Sequence, residues 1–150
     1  PVIVVHNSTK IDKGFKNIIF PISTTADVRQ KVKWTILIAK TFKSKIHLFQ
    51  LNQSSAEDKK TMQHYIRQIT NEFDKEGIKY QHILADKKTS FATQLQEYAH
   101  EVKAELITIM ITIDLLNFKY GPYDEKMMFN PYEIPVMCIN PIKTKIIYWK

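Results

Sequence analysis

At 150 residues, with 44% hydrophobic and 25% charged side chains, the chain suits one globular domain with a core of its own. No run of about 18 apolar residues occurs, which excludes a membrane-spanning helix; the single cysteine, Cys138, excludes an internal disulfide and fits a reducing, cytoplasmic compartment. The net charge of +7 rests almost entirely on scattered lysines, with Arg29 and Arg67 the only arginines, which argues for a solvated basic surface and against specific nucleic-acid readout.

The first residues, PVIVV (1–5), read as a short apolar strand stopped by the turn signal His6-Asn7, and HNSTKIDKG (6–14) reads as a linker. NIIFPI (17–22) is a strand, and STTAD (23–27) supplies N-cap residues, so Ser23 reads as a helix cap. A helix over 28–42 follows, with Val28, Val32, Ile36 and Ala39 on a stripe that Ile38 and Phe42 widen, and with Trp34 expected in its packing. KIHLFQL (45–51) is a strand. Residues 54–77 place Met62, Ile66, Ile69 and Phe73 at helical spacing, with Gly77 where a C-terminal cap belongs. IKYQHIL (78–84) alternates and is polar enough for an edge strand. Residues 90–103 put Phe91, Leu95, Ala99 and Val102 on one helical face, and ELITIMI (105–111) is apolar enough for the sheet centre. A poorly periodic segment around 122–132 begins with the acidic YDEK (123–126), which suits the first turn of a helix, and PVMCI (135–139) is the last strand.

Strands joined by helical connections of this length run parallel with right-handed crossovers, which gives a doubly wound α/β sheet. Ligands bind such sheets beyond the carboxyl ends of the central strands, here 17–22 and 105–111, so the loops 23–27 and 112–126 frame any site. No catalytic set emerges: Ser23 has no recognisable activating partner, and Cys138 in its apolar strand reads as a buried hydrophobe. No metal motif emerges either; His47 and His82 lie on neighbouring strands, and a zinc pair there is set against ordinary hydrogen-bonded histidines. Trp149 in the tail is a candidate for a partner surface.

Taken together, FKNIIFPIS, IAKTFKSKIHLF, AELITIM and GPYDEKMMFNPYEIPVMCINP, in this order and spacing, resemble the universal stress protein family over about residues 15–141. The resemblance implies a five-stranded parallel sheet of order 3-2-1-4-5, dimers that pair their last strands, and, in one branch, ATP binding. That branch has an aspartate where this chain has Ser23, and a Gly-x2-Gly-x9-Gly-(Ser/Thr) loop after the fourth strand. Here Ile111 and Asp114 stand at its first two glycines; Gly121 matches the third, and Pro122 replaces the hydroxyl residue and removes an amide donor. A β-branched side chain and a carboxylate replace the glycines that let backbone amides approach phosphates.

The expectation is therefore a universal-stress-protein-like regulatory domain, non-enzymatic and without a cofactor, over residues 15–141. Residues 1–14 form an extra strand and linker left by a preceding, similar domain, and 142–150 a tail. The competing reading is a slow ATPase or small-ligand binder using Ser23, Thr24 and Gly121, with Ile111 and Asp114 at the same site. The echo between PVIVV and PVMCI places residues 1–5 along 135–140, in this chain or a second copy. Val2, Ile3 and Val4 on one side, and Val136, Met137, Cys138 and Ile139 on the other, then form the contact through which the domain self-associates or pairs in tandem.

Overall fold

The computed structural model describes residues 1–10, 12–24, 26–86, 88–111, 113–114 and 119–141. Trp149 and the tail 142–150 lie outside the described residues.

The strands are β1 (Val2–Val4), β2 (Asn17–Ile22), β3 (Lys45–Gln50), β4 (Lys79–Leu84), β5 (Leu106–Met110), β6 (Ile113–Asp114), β7 (Lys119–Tyr120) and β8 (Val136–Ile139). The helices are α1 (Val32–Phe42), α2 (Ala56–Lys75), α3 (Phe91–Glu101) and α4 (Pro122–Met128), with a 3₁₀ helix over Ala26–Lys31. Six strands form one sheet in the order β1-β8-β5-β2-β3-β4. From β8 to β4 all neighbours are parallel, whereas β1 is antiparallel to β8. The sheet thus has one strand more than the five-stranded frame, and β6 and β7 add a separate antiparallel ribbon that the sequence pattern did not announce.

Period-2 alternation along the central strands splits the core into two layers. Ile18, Phe20 and Ile22 of β2, with Ile46, Leu48, Leu106 and Met137, pack under α1 and α2 through Val32, Ala39, Met62, Ile69 and Phe73. Ile19 of β2, with Phe49, Ile107, Ile109, Val136 and Cys138, packs under α3 and α4 through Ala92, Leu95, Ala99, Met127 and Met128. Helices therefore cover both faces. Phe20 and Phe73 meet edge-to-face at 5.9 Å between ring centroids, pinning α2 onto β2.

Helix ends follow their residues. Ser55 and Ser90 cap α2 and α3 by accepting from the amides of Asp58 and Thr93. After α2, Gly77 turns left-handed at φ 67°, which lets Ile78 N–H bond back to Phe73 O. Gly14, at φ 69°, abuts the Phe42 ring so closely that an added Cβ would lie 2.4 Å from it.

One helix departs from its expected course. The α-helix starts at Val32, not Val28, and Lys31 rather than a residue of STTAD stands at its N-cap, without a side-chain cap bond. The preceding turns are 3₁₀, in which residues three apart eclipse, so Val28 and Lys31 both point inward. The buried positions of α1 are consequently Val32, Thr35 and Ala39, with the Thr35 hydroxyl donating to Lys31 O at 2.9 Å. Trp34 falls off that stripe and is 41% exposed, against its expected place in the packing.

Candidate functional site

The strand order reverses between β2 and β5, and a crevice opens beyond their carboxyl ends as the topology requires. It holds a cavity of about 320 Å³. Pro21, Ser23, Ile109 and Met110 come from the ends of the two central strands; Leu51 follows β3, and Pro141 follows β8. Val28 and Lys31 of the 3₁₀ helix line one wall, and Phe91 of α3 with Tyr123 of α4 line another. The two rings of that second wall stack, with centroids 6.3 Å apart and planes 18° from parallel. Lys126 holds α4 in place by donating to Thr93 Oγ1 at 2.8 Å, and Gln96 Nε2 donates to Lys126 O at 2.7 Å.

Lys31 is the unusual member. It is 3% exposed, and its Nζ donates to Pro21 O at 2.5 Å and Thr108 O at 3.3 Å. These carbonyls belong to β2 and β5, so the amine sits across the point where strand order reverses. The ammonium also lies 4.4 Å from the Phe20 ring centroid, within cation–π reach. The ion pairs among the described residues are Lys40–Glu76, Lys75–Glu72 and Lys88–Asp86, so no carboxylate there partners Lys31. Burial pushes its pKa down to about 7, because a charge withdrawn from water without a counter-ion is costly. Tyr123 is pushed well above the usual phenol range, first by burial and then by the Asp124 charge beside it. Phe91 and Tyr123 therefore give the cavity a neutral aromatic wall.

Of the anticipated ligand residues, Ser23 is among the described residues that line the cavity; it is half-buried and does not cap α1. Thr24 is half-buried beside it. Ile111 is buried in the core layer under α3, and its amide donates to Ile139 O at 3.0 Å, continuing the β5–β8 ladder instead of facing a phosphate. Asp114 belongs to β6, opposite Lys119; the rest of that loop, 112 and 115–118, lies outside the described residues. Gly121 precedes α4 at φ −64°, ψ 154°, a conformation open to any residue, and an added Cβ would come no closer than 3.7 Å to Asp124 Oδ2. Nothing at this position demands glycine. Lys31, Phe91 and Tyr123 were not anticipated as site residues. Lys31 stands three residues after Val28 and four before Thr35, on the inward stripe, but a lysine there reads from sequence as solvent-facing.

The histidines do not form a zinc pair. In the β3–β4 register His47 stands opposite Gln81, so His82, one residue on, points to the other face of the sheet. His82 bonds Gln50 Oε1 at 2.6 Å. His47 Nδ1 lies 2.7 Å from the Tyr98 hydroxyl and Nε2 lies 3.1 Å from Asn17 Oδ1. Since an amide oxygen only accepts, Nε2 carries the proton and Nδ1 accepts from Tyr98, which in turn accepts from Gln81 Nε2 at 2.7 Å. Burial, and then the Lys45 charge, holds the His47 pKa down at about 4. Among the described residues no cluster of three or more His, Cys, Asp or Glu could hold a metal. Cys138 is buried and its pKa rises to about 11, through burial and then the Asp124 charge, so its thiol is unreactive.

The N-terminal strand pairs within the chain, Val2 with Cys138, Ile3 with Met137 and Val4 with Val136. Ile139 falls outside that ladder and pairs with Met110 on the other side.

No protein-family model and no curated protein matches the chain by sequence. Solved structures do match by shape. A universal stress protein from Archaeoglobus fulgidus superposes at a TM-score of 0.68 with 16% identity, over 84% of this chain and 94% of that one. A universal stress protein family member from Burkholderia pseudomallei gives 0.63 with 11% identity, over 85% and 96%. One from Arabidopsis thaliana, solved with AMP bound, gives 0.60 with 15% identity, over 87% and 94%. The chain has the universal stress protein fold. No helix in it, among the described residues, is long and apolar enough to cross a membrane.

Proposed function

We propose that this chain is a regulatory domain of the universal stress protein type that holds a small ligand without turning it over. The observation that carries this is the cavity at the carboxyl ends of β2 and β5, which is built and mostly apolar and whose lining, among the described residues, includes no glycine. Ile111 is committed to the core and its amide is bonded to Ile139 O, so the residue at the first matched glycine position offers no amide to a phosphate. A nucleotide triphosphate would have to be held by Ser23 and the buried Lys31. The proposal includes the absence of a resident cofactor and a cytoplasmic setting. It is tested by releasing bound small molecules from the purified protein by denaturation and identifying them by mass spectrometry. ATP or ADP in stoichiometric amount would contradict it.

A second reading, an adenine-nucleotide binder, is favoured by the Arabidopsis relative with AMP and by an A. fulgidus universal stress protein solved with dAMP, which matches at a TM-score of 0.65. A monophosphate asks for fewer phosphate contacts than ATP, and the same extraction distinguishes it. The antiparallel seat of β1 on β8 supports reading residues 1–14 as the strand and linker of a like domain, with 15–141 as the domain itself. In this arrangement the last strand's edge is filled by tandem pairing, and self-association needs that strand displaced.

A further inference from the structure

We propose that the cavity takes a small monocarboxylate with an apolar body, seated with its carboxylate on Lys31 Nζ. This deepens the ligand-binding reading above and rests on it.

The argument starts from the cost of Lys31. A side chain 3% exposed, with two carbonyl oxygens as its hydrogen-bond partners, leaves a protonated amine one N–H short among the described residues. Carbonyl dipoles and the Phe20 ring soften the charge without neutralising it. An anion arriving from the cavity would supply both a third acceptor and a counter-charge, neither of which the described residues give, in a site where low dielectric strengthens the pairing.

The rest of the cavity sets the class of anion. Val28, Leu51, Phe91, Ile109 and Met110 line the cavity together with Lys31, so the body of the ligand is apolar. One cation matches one negative charge; a phosphate ester with close to two charges would remain underpaired. About 320 Å³ lies at the small end of ligand sites, which favours a short aliphatic or single-ring acid. Among the described residues, the titratable groups that line the cavity are few. The 3₁₀ helix brings Lys31 and α4 brings Tyr123, which stays neutral; β2, β3, β5 and α3 bring no titratable side chain to the lining. Asp124 of α4 is buried, is not among the lining residues, and its charge reaches Tyr123 and Cys138. Carboxylate binding must therefore draw a proton onto Lys31 whenever the free protein holds it as the amine.

Calorimetry of the full chain with hexanoate, in two buffers of different ionisation enthalpy, reads that proton directly. At pH 8 uptake should approach one proton per hexanoate bound, and at pH 6 it should fall close to zero. 1-Hexanol should bind at least tenfold more weakly, and Lys31→Met should weaken hexanoate at least tenfold and abolish the uptake. The Ile109 and Met110 methyl resonances should shift on binding. Hexanol binding as tightly as hexanoate, with the same methyl shifts, would overturn the role of Lys31 and leave the ligand pocket standing. Binding of neither would overturn both. Hexanoate binding that Lys31→Met leaves unweakened would also overturn it.

Discussion

Val2 stands directly opposite Cys138 in an antiparallel ladder that closes the outer edge of β8. Cys138 and Val136 are buried in the core layer under α3 and α4, and Val4 packs against that layer, so β1 is more than a loose arm. An uncovered β8 would present to any other strand those backbone donors and acceptors of Val136–Cys138 that do not face β5. Deleting residues 1–7 should therefore produce a concentration-dependent dimer in sedimentation, whereas the full chain stays monomeric under the same conditions. A truncated chain that remains monomeric at the highest concentration would show that β1 is not an edge guard.

Lys31 makes stability depend on pH in a direction opposite to that of an ordinary surface lysine. In the unfolded chain it is protonated up to about pH 10.5, and in the folded chain only up to about 7. Between these values the unfolded state holds the extra proton, so stability rises with pH, by up to about 1.4 kcal/mol per unit. Below pH 7 both states are protonated and the full cost of the buried charge remains. Lys31→Met should flatten this rise and stabilise the protein at pH 7 by about 1–3 kcal/mol, by relieving an incompletely satisfied buried group. Urea unfolding of both proteins from pH 6.5 to 10 measures it; a parallel pair of pH profiles would contradict the buried-amine account.

His47 acts at the acid end. Its folded pKa lies near 4 and its unfolded value near 6.5, so its contribution is complete above pH 6.5 and is lost as pH falls toward 4. Protonation would give Nδ1 a hydrogen that the Tyr98 hydroxyl, already donating there, must turn away from. Tyr98→Phe leaves His47 Nδ1 and the Gln81 amide without their shared partner, at a cost of about 1–3 kcal/mol at pH 7. Chemical denaturation reads the loss, and the His47 proton shifts read the titration; a midpoint near 6.5 in the folded protein would contradict the network.

Ile111 is a structural residue of the core. Buried in the core and bonded through its amide to Ile139, it should cost about 2–5 kcal/mol when cut to alanine, through the lost contacts and the cavity left behind. A change below about 0.5 kcal/mol in urea unfolding would place it outside the core.

Much of the fold was legible because apolar residues fall into clean periods. Ile18, Phe20 and Ile22 alternate with Ile19, and Met62, Ile69 and Phe73 keep helical spacing, so the two-layer sheet follows from pattern alone. The start of α1 was not legible, because 3₁₀ and α turns share the i, i+3 spacing of Val28 and Lys31, and only the inward lysine separates them. The β6–β7 ribbon pairs two residues with two, too few to leave a period. At the site, family motifs directed attention to Ile111, Asp114 and Gly121, whereas the cavity is walled by Lys31, Phe91 and Tyr123. Those side chains meet only through tertiary packing, and a lysine in an apolar stripe reads as solvent-facing until the backbone shows where it points.

The central claim is that this stress-protein fold retains the pocket and has lost the ATP cradle, and calorimetric titration of the purified chain with Mg-ATP tests it most directly. The account predicts a dissociation constant no tighter than about 1 mM, near −4 kcal/mol. A micromolar constant would contradict it.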